Sequence, residues 1–405
     1  MRGNKQWEAS PPPLAILGAD PAFREKVHVG RPNIGNRQRF LERVNAILDS
    51  RYLTNAGPFE VELERRISEM LDVRHCVLMC NATAALELAM RGLGLADEVI
   101  VPSFTFVATV HALKWQGLTP VFCDVDPRTH NLDPSKVEEL ITPRTSGILA
   151  VHLWGRPCDV EGLQAIAERH GLKLLFDSAH AFGCSYKGRK IGGFGQAEIL
   201  SFHATKFIGT GEGGAVLTND DGLARRLRLM RNFGFSGYDQ TSGVGTNAKL
   251  SELSAALGLT NLESMEAFIE TNRRNCAAYA SDLPAGLSLL RYHDSDTPNY
   301  QYLVTEVNAE EIGLTRDELL TVLHAENILA RRYFYPGVHR MEPYRSLYPD
   351  VGVRLAATEA VAERVMVLPT GTGVTVADIG KICAVIRCAA EHPREIQAAL
   401  RRPSR

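Results

Sequence analysis

Lys206 and Asp177 are the two residues of this chain whose types and positions most directly suggest chemistry. Lys206 ends the sequence Ser-Phe-His-Ala-Thr-Lys, which follows an apolar segment at 198–200 and precedes a glycine-rich turn at 209–214. Asp177 ends a second apolar segment at 173–176. An amine and a carboxylate at the ends of neighbouring strands suit pyridoxal phosphate (PLP): the amine forms a Schiff base with its aldehyde, and the carboxylate keeps its pyridine nitrogen protonated. The ordinary alternative is that Lys206 is a solvated surface lysine. The predicted strands and helices around it must therefore show whether it lies in a site.

The elements that would position these side chains alternate between short apolar strands and helices. The predicted strands are 76–80, 98–101, 120–123, 147–152, 173–177, 198–200 and 214–218. Short, nearly all-apolar strands separated by helices indicate an α/β fold with a mainly parallel sheet covered on both faces. Ligands of such sheets bind at the carboxyl ends of the strands, where Asn81, Asp177 and Lys206 all fall.

The length of 405 residues predicts more than one domain. We expect an irregular N-terminal arm over 1–35, a large domain with the sheet over 36–262, and a small α+β domain over 263–405. Further helices are predicted near 36–50, 160–170, 262–282, 315–326 and 374–392.

The composition argues against several classes of protein. A net charge of −2 gives no electrostatic reason to expect binding to nucleic acid or to an anionic membrane. No apolar run approaches the roughly 20 residues of a membrane span, and the N-terminus lacks a secretory pattern. The eight cysteines form no Cys-x-x-Cys pair, and we expect no metal site. A cytoplasmic protein with reduced cysteines is the resulting expectation.

Other residues near the ends of the strands could hold such a cofactor. Asn-Ala-Thr at 81–83 begins a helix directly after a strand, which presents free backbone N–H groups and the positive end of the helix dipole to a phosphate. Ser201 could add a hydroxyl to the same phosphate, Phe106 could stack on a flat ring, and His180 could reach a ring hydroxyl. Each has a structural explanation that is commoner in isolation: a helix cap, a solvated serine, a core aromatic, a buried histidine.

Two nucleotide-binding motifs must be excluded. Gly-Thr-Gly-Glu-Gly-Gly at 209–214 has the spacing of the dinucleotide fingerprint, but it leads into a predicted strand where that motif requires a helix. The apolar strand that ends at Asp177 resembles the metal-binding strand of P-loop ATPases. The chain contains no Gly-x-x-x-x-Gly-Lys-Ser/Thr loop. The sequence therefore predicts neither a dinucleotide-binding motif nor a P-loop.

Taken in order, these motifs resemble those of one family. They are Asn-Ala-Thr at 81–83, Pro-Ser-Phe-Thr-Phe at 102–106, Asp-Ser-Ala-His at 177–180, Ser-Phe-His-Ala-Thr-Lys at 201–206 and Glu-Gly-Gly-Ala-Val at 212–216. Over about residues 29–372, the chain resembles the fold type I PLP aminotransferases of the DegT type, which act on nucleotide-linked sugars. The resemblance implies a PLP-dependent transferase fold whose cofactor alternates with pyridoxamine phosphate.

The resemblance also implies a role for each candidate residue. Lys206 would bind PLP covalently and transfer protons, and Asp177 would pair with the pyridinium. His180 would lie near the phenolic oxygen, and Phe106 would stack on the ring.

Further roles follow from the same likeness. Ala82, Thr83 and Ser201 would hold the phosphate. Asn247 would reach the phosphate from the neighbouring subunit, which implies a homodimer with shared active sites. Thr54 and His339 would line the substrate pocket.

Within the family, the chain most resembles the branch that aminates C4 of dTDP-4-keto-6-deoxyglucose for deoxyaminosugars of antibiotic-type products, such as desosamine. L-Glutamate is the donor that this likeness implies. Amination at C3, a sugar dehydratase of the same fold and a catalytically silent binding protein stay open as alternatives. A lysine at 206 argues against the dehydratase branch, which carries histidine there. The substrate diphosphate needs basic residues, and the sequence does not choose among Arg31, Lys249, Arg331 and Arg332.

Overall fold

The structure is a computed structural model that describes residues 14–401. The strands are β1 (Val27–His28), β2 (His75–Met79), β3 (Glu98–Pro102), β4 (Thr119–Cys123), β5 (Thr145–Val151), β6 (Lys173–Asp177), β7 (Ser185–Tyr186), β8 (Arg189–Lys190), β9 (Ala197–Ser201), β10 (Gly214–Thr218), β11 (Phe235–Gly237), β12 (Gln240–Thr241), β13 (Leu287–Leu289), β14 (Leu303–Val307), β15 (Ile328–Leu329) and β16 (Val365–Leu368).

The α-helices lie between and after these strands. They are α1 (Arg37–Ser50), α2 (Pro58–Leu71), α3 (Ala82–Leu93), α4 (Val107–Trp115), α5 (Pro134–Val137), α6 (Val160–His170), α7 (Asp221–Met230), α8 (Glu252–Leu262), α9 (Met265–Asp282), α10 (Ala309–Ile312), α11 (Arg316–Ala325), α12 (Tyr344–Leu347), α13 (Ala356–Arg364), α14 (Val376–Glu391) and α15 (Pro393–Leu400). Among residues 14–401, none of the helices has the length and hydropathy needed to cross a membrane.

A seven-stranded sheet in the order β2-β10-β9-β6-β5-β3-β4 forms the centre of the fold. The pairs among β4, β3, β5, β6 and β9 are parallel, and only β10 runs antiparallel to its neighbours β2 and β9. The predicted α/β fold with a mainly parallel sheet is therefore confirmed. The glycine-rich turn at 209–214 leads into β10, as predicted. Because the dinucleotide-binding motif requires a helix at this point, the structure also excludes that motif.

Each face of this sheet carries its own apolar core, because successive side chains of a strand point to opposite faces. In β2, Val77 and Met79 pack with residues of α3, α4 and α7. Cys76 and Leu78 pack with residues of α2 and α8 on the other face. Helices on both faces explain why the strands are apolar almost throughout rather than alternating with polar residues.

A smaller antiparallel sheet, β13-β14-β16, lies in the C-terminal part of the chain. Its core is shared with α9, α11 and α14. The long helix α9 connects this core to the large sheet, since Phe268 packs with α2 and α8 whereas Tyr279 lies in the small core. The exact division into domains at 35 and 262 stays a prediction.

The described part of the predicted N-terminal arm is more ordered than we expected. Strand β1 pairs in parallel with β15, and Leu14 and Phe23 are buried in the small core. The Glu326 carboxylate accepts hydrogen bonds from the N–H groups of Ala15 and Ala22 at 2.6 and 2.7 Å. Residues 14–28 thus pack with the small C-terminal core and with β15. Residues 1–13 of the predicted arm lie outside the described residues.

Candidate active site

A pocket lies where β2, β6 and β9 reach the same edge of the large sheet. Seven of the residues predicted from the sequence line it together: Ala82, Thr83, Phe106, Asp177, His180, Ser201 and Lys206. Parallel strands place their carboxyl ends at one edge, and the reversed β10 places its first residue there too, since Gly214 pairs with both Met79 and Ser201. Topology therefore brings together residues that are more than a hundred positions apart.

Lys206 reaches the pocket from a tight turn after β9. Its backbone N–H donates to the carbonyl of His203 at 2.8 Å, and the Ala204 N–H donates to the carbonyl of Gly211 at 2.7 Å. Burial lowers the pKa of the Lys206 amine to about 8, and the nearby Asp177 carboxylate opposes this shift. A pKa near 8 leaves about a tenth of the amine neutral at pH 7, against well under a thousandth for an ordinary lysine.

Asp177 ends β6 with its carboxylate fixed in orientation. One oxygen accepts from the Thr109 hydroxyl at 2.8 Å, and the other accepts from the Ala179 N–H at 3.1 Å. Burial raises the pKa of Asp177, while these two hydrogen bonds and the charge of Lys206 lower it. Two donors to a buried carboxyl favour its charged form, which is the form that can pair with a protonated ring nitrogen.

His180 has a defined proton position. Its Nδ1 accepts a hydrogen bond from the backbone N–H of Trp154 at 3.2 Å. Burial holds the pKa of His180 well below its usual value. A neutral ring that accepts at Nδ1 carries its proton at Nε2. His180 is therefore an N–H donor in this pocket, and its place beside the phenolic oxygen stays a prediction.

The start of α3 forms a cup for an anion. The Asn81 side chain accepts from the Ala84 N–H at 2.8 Å and caps the helix. Within residues 14–401, the N–H groups of Ala82 and Thr83 have no protein acceptor, so they are available to a phosphate. A side chain at Gly214 would place its Cβ 2.5 Å from the Ala82 nitrogen, so only glycine lets β10 approach this helix start.

These groups fit PLP on chemical grounds. The pocket combines an amine of low pKa, an oriented carboxylate, a histidine N–H donor and free backbone donors at a helix N-terminus. Phe106, at the cap position of α4 and 54% exposed, adds an aromatic face on the pocket wall. Each part of the cofactor (aldehyde, pyridine nitrogen, phenolic oxygen, phosphate) finds a complementary group.

Sequence reasoning missed several residues that line the pocket or support its side chains. Thr109, which holds Asp177, lies one helical turn after Phe106 on α4, so its spacing was a usable signal. Tyr302, Tyr333 and Phe334 come from the C-terminal part of the chain and also line the pocket. No local pattern marks those three residues, since only the tertiary fold brings them to the sheet edge.

Three predicted site residues do not line this pocket. Thr54 and Asn247 are exposed, and Asn247 accepts a hydrogen bond from the Lys249 amine at 2.7 Å. His339 is buried outside the pocket, where its ring nitrogens pair with the Ser103 hydroxyl at 2.7 Å and with Glu359 at 3.2 Å. Within one chain, the structure does not bring these three side chains to the other site residues, and their predicted roles stay predictions.

The fold and the pocket together define the class of the protein: a fold type I PLP enzyme, with a lysine, an aspartate and a helix N-terminus at one sheet edge. A family model described as the DegT/DnrJ/EryC1/StrS aminotransferase family matches residues 35–387. The chain belongs to that family, which confirms the resemblance seen in its motifs. It is an aminotransferase, and PLP is its cofactor.

Individual relatives agree with the family assignment. The chain is 35% identical to a dTDP-4-amino-4,6-dideoxy-D-glucose transaminase of Escherichia coli, over 89% of this chain and 98% of the relative. It is 36% identical to a GDP-perosamine synthase of Caulobacter vibrioides, over 89% of this chain and 97% of the relative. The crystal structure of DesI in the presence of its TDP-sugar product superposes with a TM-score of 0.90 at 46% identity, covering 96% of this chain and 99% of that one.

Proposed function

We propose that this aminotransferase acts on a sugar nucleotide and moves the amino group of L-glutamate to C4 of dTDP-4-keto-6-deoxy-D-glucose. The observation that carries the proposal is the likeness to DesI, which was crystallised with a TDP-sugar product and shares 46% identity over 96% of this chain. The E. coli relative is likewise named for a dTDP-linked 4-amino sugar. The pocket supports the chemistry, since its lysine amine has a lowered pKa beside an oriented carboxylate.

PLP supplies an aldehyde that takes up the donor's amino group and a ring that accepts electrons from the reacting carbon. Lys206 supplies the base: its Nζ takes the proton from the Cα of L-glutamate and, in the second half of the cycle, delivers a proton at C4 of the sugar. Asp177 would hold the ring nitrogen of the cofactor through its carboxylate, and His180 would donate from Nε2 to the phenolic oxygen. Because donor and sugar use one site in turn, ping-pong kinetics follow.

The test is an assay of purified protein with L-glutamate and dTDP-4-keto-6-deoxyglucose, with product mass and stereochemistry determined by mass spectrometry and NMR. We expect a dTDP-4-amino-4,6-dideoxy sugar and one equivalent of 2-oxoglutarate. The 3-keto isomer, a GDP-linked 4-keto sugar and L-aspartate as donor serve as matched alternatives. Preferential amination of the 3-keto or the GDP-linked sugar, or loss of water without amination, would refute the proposal.

We further propose that the enzyme is a homodimer with shared active sites, works in the cytoplasm and serves deoxyaminosugar biosynthesis of the antibiotic type. The exposed positions of Thr54 and Asn247 support sharing, because residues that lie outside their own pocket can complete that of a partner. Several buried cysteines are free thiols, which suits a reducing compartment: Cys76, Cys123, Cys158, Cys184 and Cys383. Size-exclusion chromatography with light scattering tests the dimer directly.

A further inference from the structure

A four-residue segment from the C-terminal part of the chain contacts both loops that carry the reactive groups. This segment, residues 299–302, directly precedes β14. The buried Asn299 donates through its amide nitrogen to the carbonyl oxygens of His180 and Phe182 at 3.0 and 3.1 Å. The side-chain amide of Gln301 donates to the carbonyl of Thr205 at 2.9 Å. The same segment therefore holds the loop after β6 and the loop after β9.

Tyr302 continues this pattern into the pocket itself. Its hydroxyl oxygen lies 3.4 Å from Nζ of Lys206 and accepts a hydrogen bond from this amine. Its ring packs against the imidazole of His180, with centroids 4.5 Å apart, and against Trp154 at 5.6 Å. Within the described residues, no other side chain hydrogen-bonds to this amine.

We infer that Tyr302 is a positioning residue, whose hydroxyl sets the direction of the Lys206 amine and whose ring holds His180 in place. An amine that donates one hydrogen to a fixed oxygen cannot rotate freely about its terminal bond, so its lone pair keeps one direction relative to the reacting carbon. The inference rests on the use of PLP and not on the proposed sugar substrate.

The hydrogen bond has a measurable consequence for protonation. The phenol oxygen accepts more strongly from an ammonium group than from a neutral amine, so it favours the charged form of Lys206. Burial raises the pKa of Tyr302 far above its usual value, which keeps the phenol uncharged at every working pH. Removing the hydroxyl should therefore lower the pKa of Lys206 further, while a variant that disturbs only packing elsewhere should leave it unchanged.

The test uses the full chain loaded with pyridoxamine phosphate, in which the Lys206 amine is free. Acetic anhydride labels the amine at a series of pH values, and mass spectrometry of the Lys206 peptide gives the midpoint. In Tyr302→Phe we expect the midpoint to fall by about 0.5 to 1 pH unit, a three- to tenfold change, because the charged amine loses one long hydrogen bond. Tyr300→Phe is the matched control, since it removes a hydroxyl from the same segment without touching the pocket, and its midpoint should not move.

The rate of the first half-reaction gives a second readout. Tyr302→Phe should lower the rate constant for taking up the amino group of L-glutamate about tenfold, with the KM for the donor nearly unchanged. Should Tyr302→Phe fail to fold, Tyr302→Met lacks the same hydroxyl and carries the same expectation. A folded variant without the hydroxyl that keeps the wild-type midpoint overturns the inference. The labelling needs neither amino donor nor sugar, so its failure is distinct from failure of the proposed function.

Discussion

Burial prepares the two principal residues of the site in opposite directions. It lowers the pKa of the Lys206 amine to about 8 and raises the pKa of the Asp177 carboxyl, because removal from water penalises both charged forms. Asp177 accepts two hydrogen bonds that favour its charge, whereas among residues 14–401 the Lys206 amine donates to the Tyr302 hydroxyl and to no carboxylate. The base can thus lose its proton near neutral pH, while the two hydrogen bonds and the charge of Lys206 oppose the effect of burial on the pKa of Asp177.

The first prediction at the residue scale concerns Lys206. Lys206→Ala removes both the covalent attachment of PLP and the base, so turnover should fall by about 10²–10⁴-fold or more. Some cofactor should remain bound, since the donors of Ala82 and Thr83 are untouched. Steady-state kinetics, circular dichroism and the visible absorption of the cofactor measure these effects. Near wild-type turnover in this variant would contradict the role of Lys206.

The second prediction concerns the charge of Asp177. Asp177→Asn keeps the size of the side chain, and the Thr109 hydroxyl can rotate to accept from the new amide. We expect a large fall in turnover with only a modest loss of PLP affinity, because the ring nitrogen loses its counter-charge but the phosphate contacts persist. Comparing kcat with the PLP dissociation constant separates the two effects; a change in affinity alone would make the carboxylate structural.

Some site residues could be predicted from the sequence and others could not, for a physical reason. Lys206, Asp177 and Asn81 each follow an apolar strand, so local patterns place them at one sheet edge. Tyr302 follows an irregular segment and reaches the site through tertiary packing. His339 has the residue type of a pocket ligand, yet its ring is satisfied by Ser103.

At the scale of elements, the N-terminal cap of α3, Asn81, contributes both to the stability of the fold and to the proposed phosphate site. Asn81→Ala removes the hydrogen bond to the Ala84 N–H, which should cost about 1 kcal/mol of stability, and loosens the donors of Ala82 and Thr83. We therefore expect a lower denaturation midpoint and a weaker affinity for PLP. Thr315→Ala is the matched control, because Thr315 caps α11 away from the pocket.

The control should lose similar stability and keep its affinity for PLP. Denaturant titration and cofactor titration on both variants give the comparison. Equal PLP affinity in both variants would show that the helix start does not hold the phosphate.

A buried carboxyl in β9 makes stability depend on pH. Burial raises the pKa of Glu198 from 4.5 to about 7, despite hydrogen bonds from Ser178 and the N–H groups of Gly192 and Phe194. The neighbouring His152 stays neutral, since burial lowers its pKa to about 3. Between pH 4.5 and 7 the folded chain binds a proton that the unfolded chain has released, so stability falls as the pH rises through this window.

Glu198→Gln should remove this loss. Relative to wild type, the variant should gain on the order of 1 to 3 kcal/mol between pH 5 and pH 8, measured by denaturant unfolding at both values. Glu310→Gln, at an exposed position, should show no such gain. If the free energy of unfolding changed with pH in the same way in wild type and Glu198→Gln, a group other than Glu198 would cause the pH dependence.

The elements themselves follow from sequence where their periodicity is strong. The predicted helices near 36–50 and 160–170 are α1 and α6, and the predicted sheet strands agree with the structure to within about two residues. The pairing of β1 with β15 could not be predicted, because a two-residue strand has no periodicity and its partner lies 301 positions away. The same holds for the caps that Glu326 provides to residues 15 and 22.

At the scale of the whole molecule, the polar stretch 241–247 leads from the hairpin of β11 and β12 towards α8. Asn247 in this stretch is exposed, and with Asn232 it accepts hydrogen bonds from the Lys249 amine. In a monomer, Asn247→Ala would change stability by no more than about 0.5 kcal/mol. If Asn247 completes the phosphate cup of a partner, as proposed, an isologous dimer contains two such shared sites.

The last prediction tests this sharing by mixing two variants. Asn247→Ala should weaken PLP retention without unfolding the chain, and Lys206→Ala should be inactive. In a mixed dimer, the intact Lys206 of one protomer meets the intact Asn247 of the other, so one site carries both defects and the other carries neither. At a PLP concentration where neither variant alone is active, mixing with subunit exchange should therefore restore up to half of the wild-type activity per mixed dimer. Mixing Lys206→Ala with Asp177→Asn is the control: both defects lie in residues that line one chain's own pocket, so no intact site can form. A protein that is monomeric by light scattering and fully active would contradict the shared site.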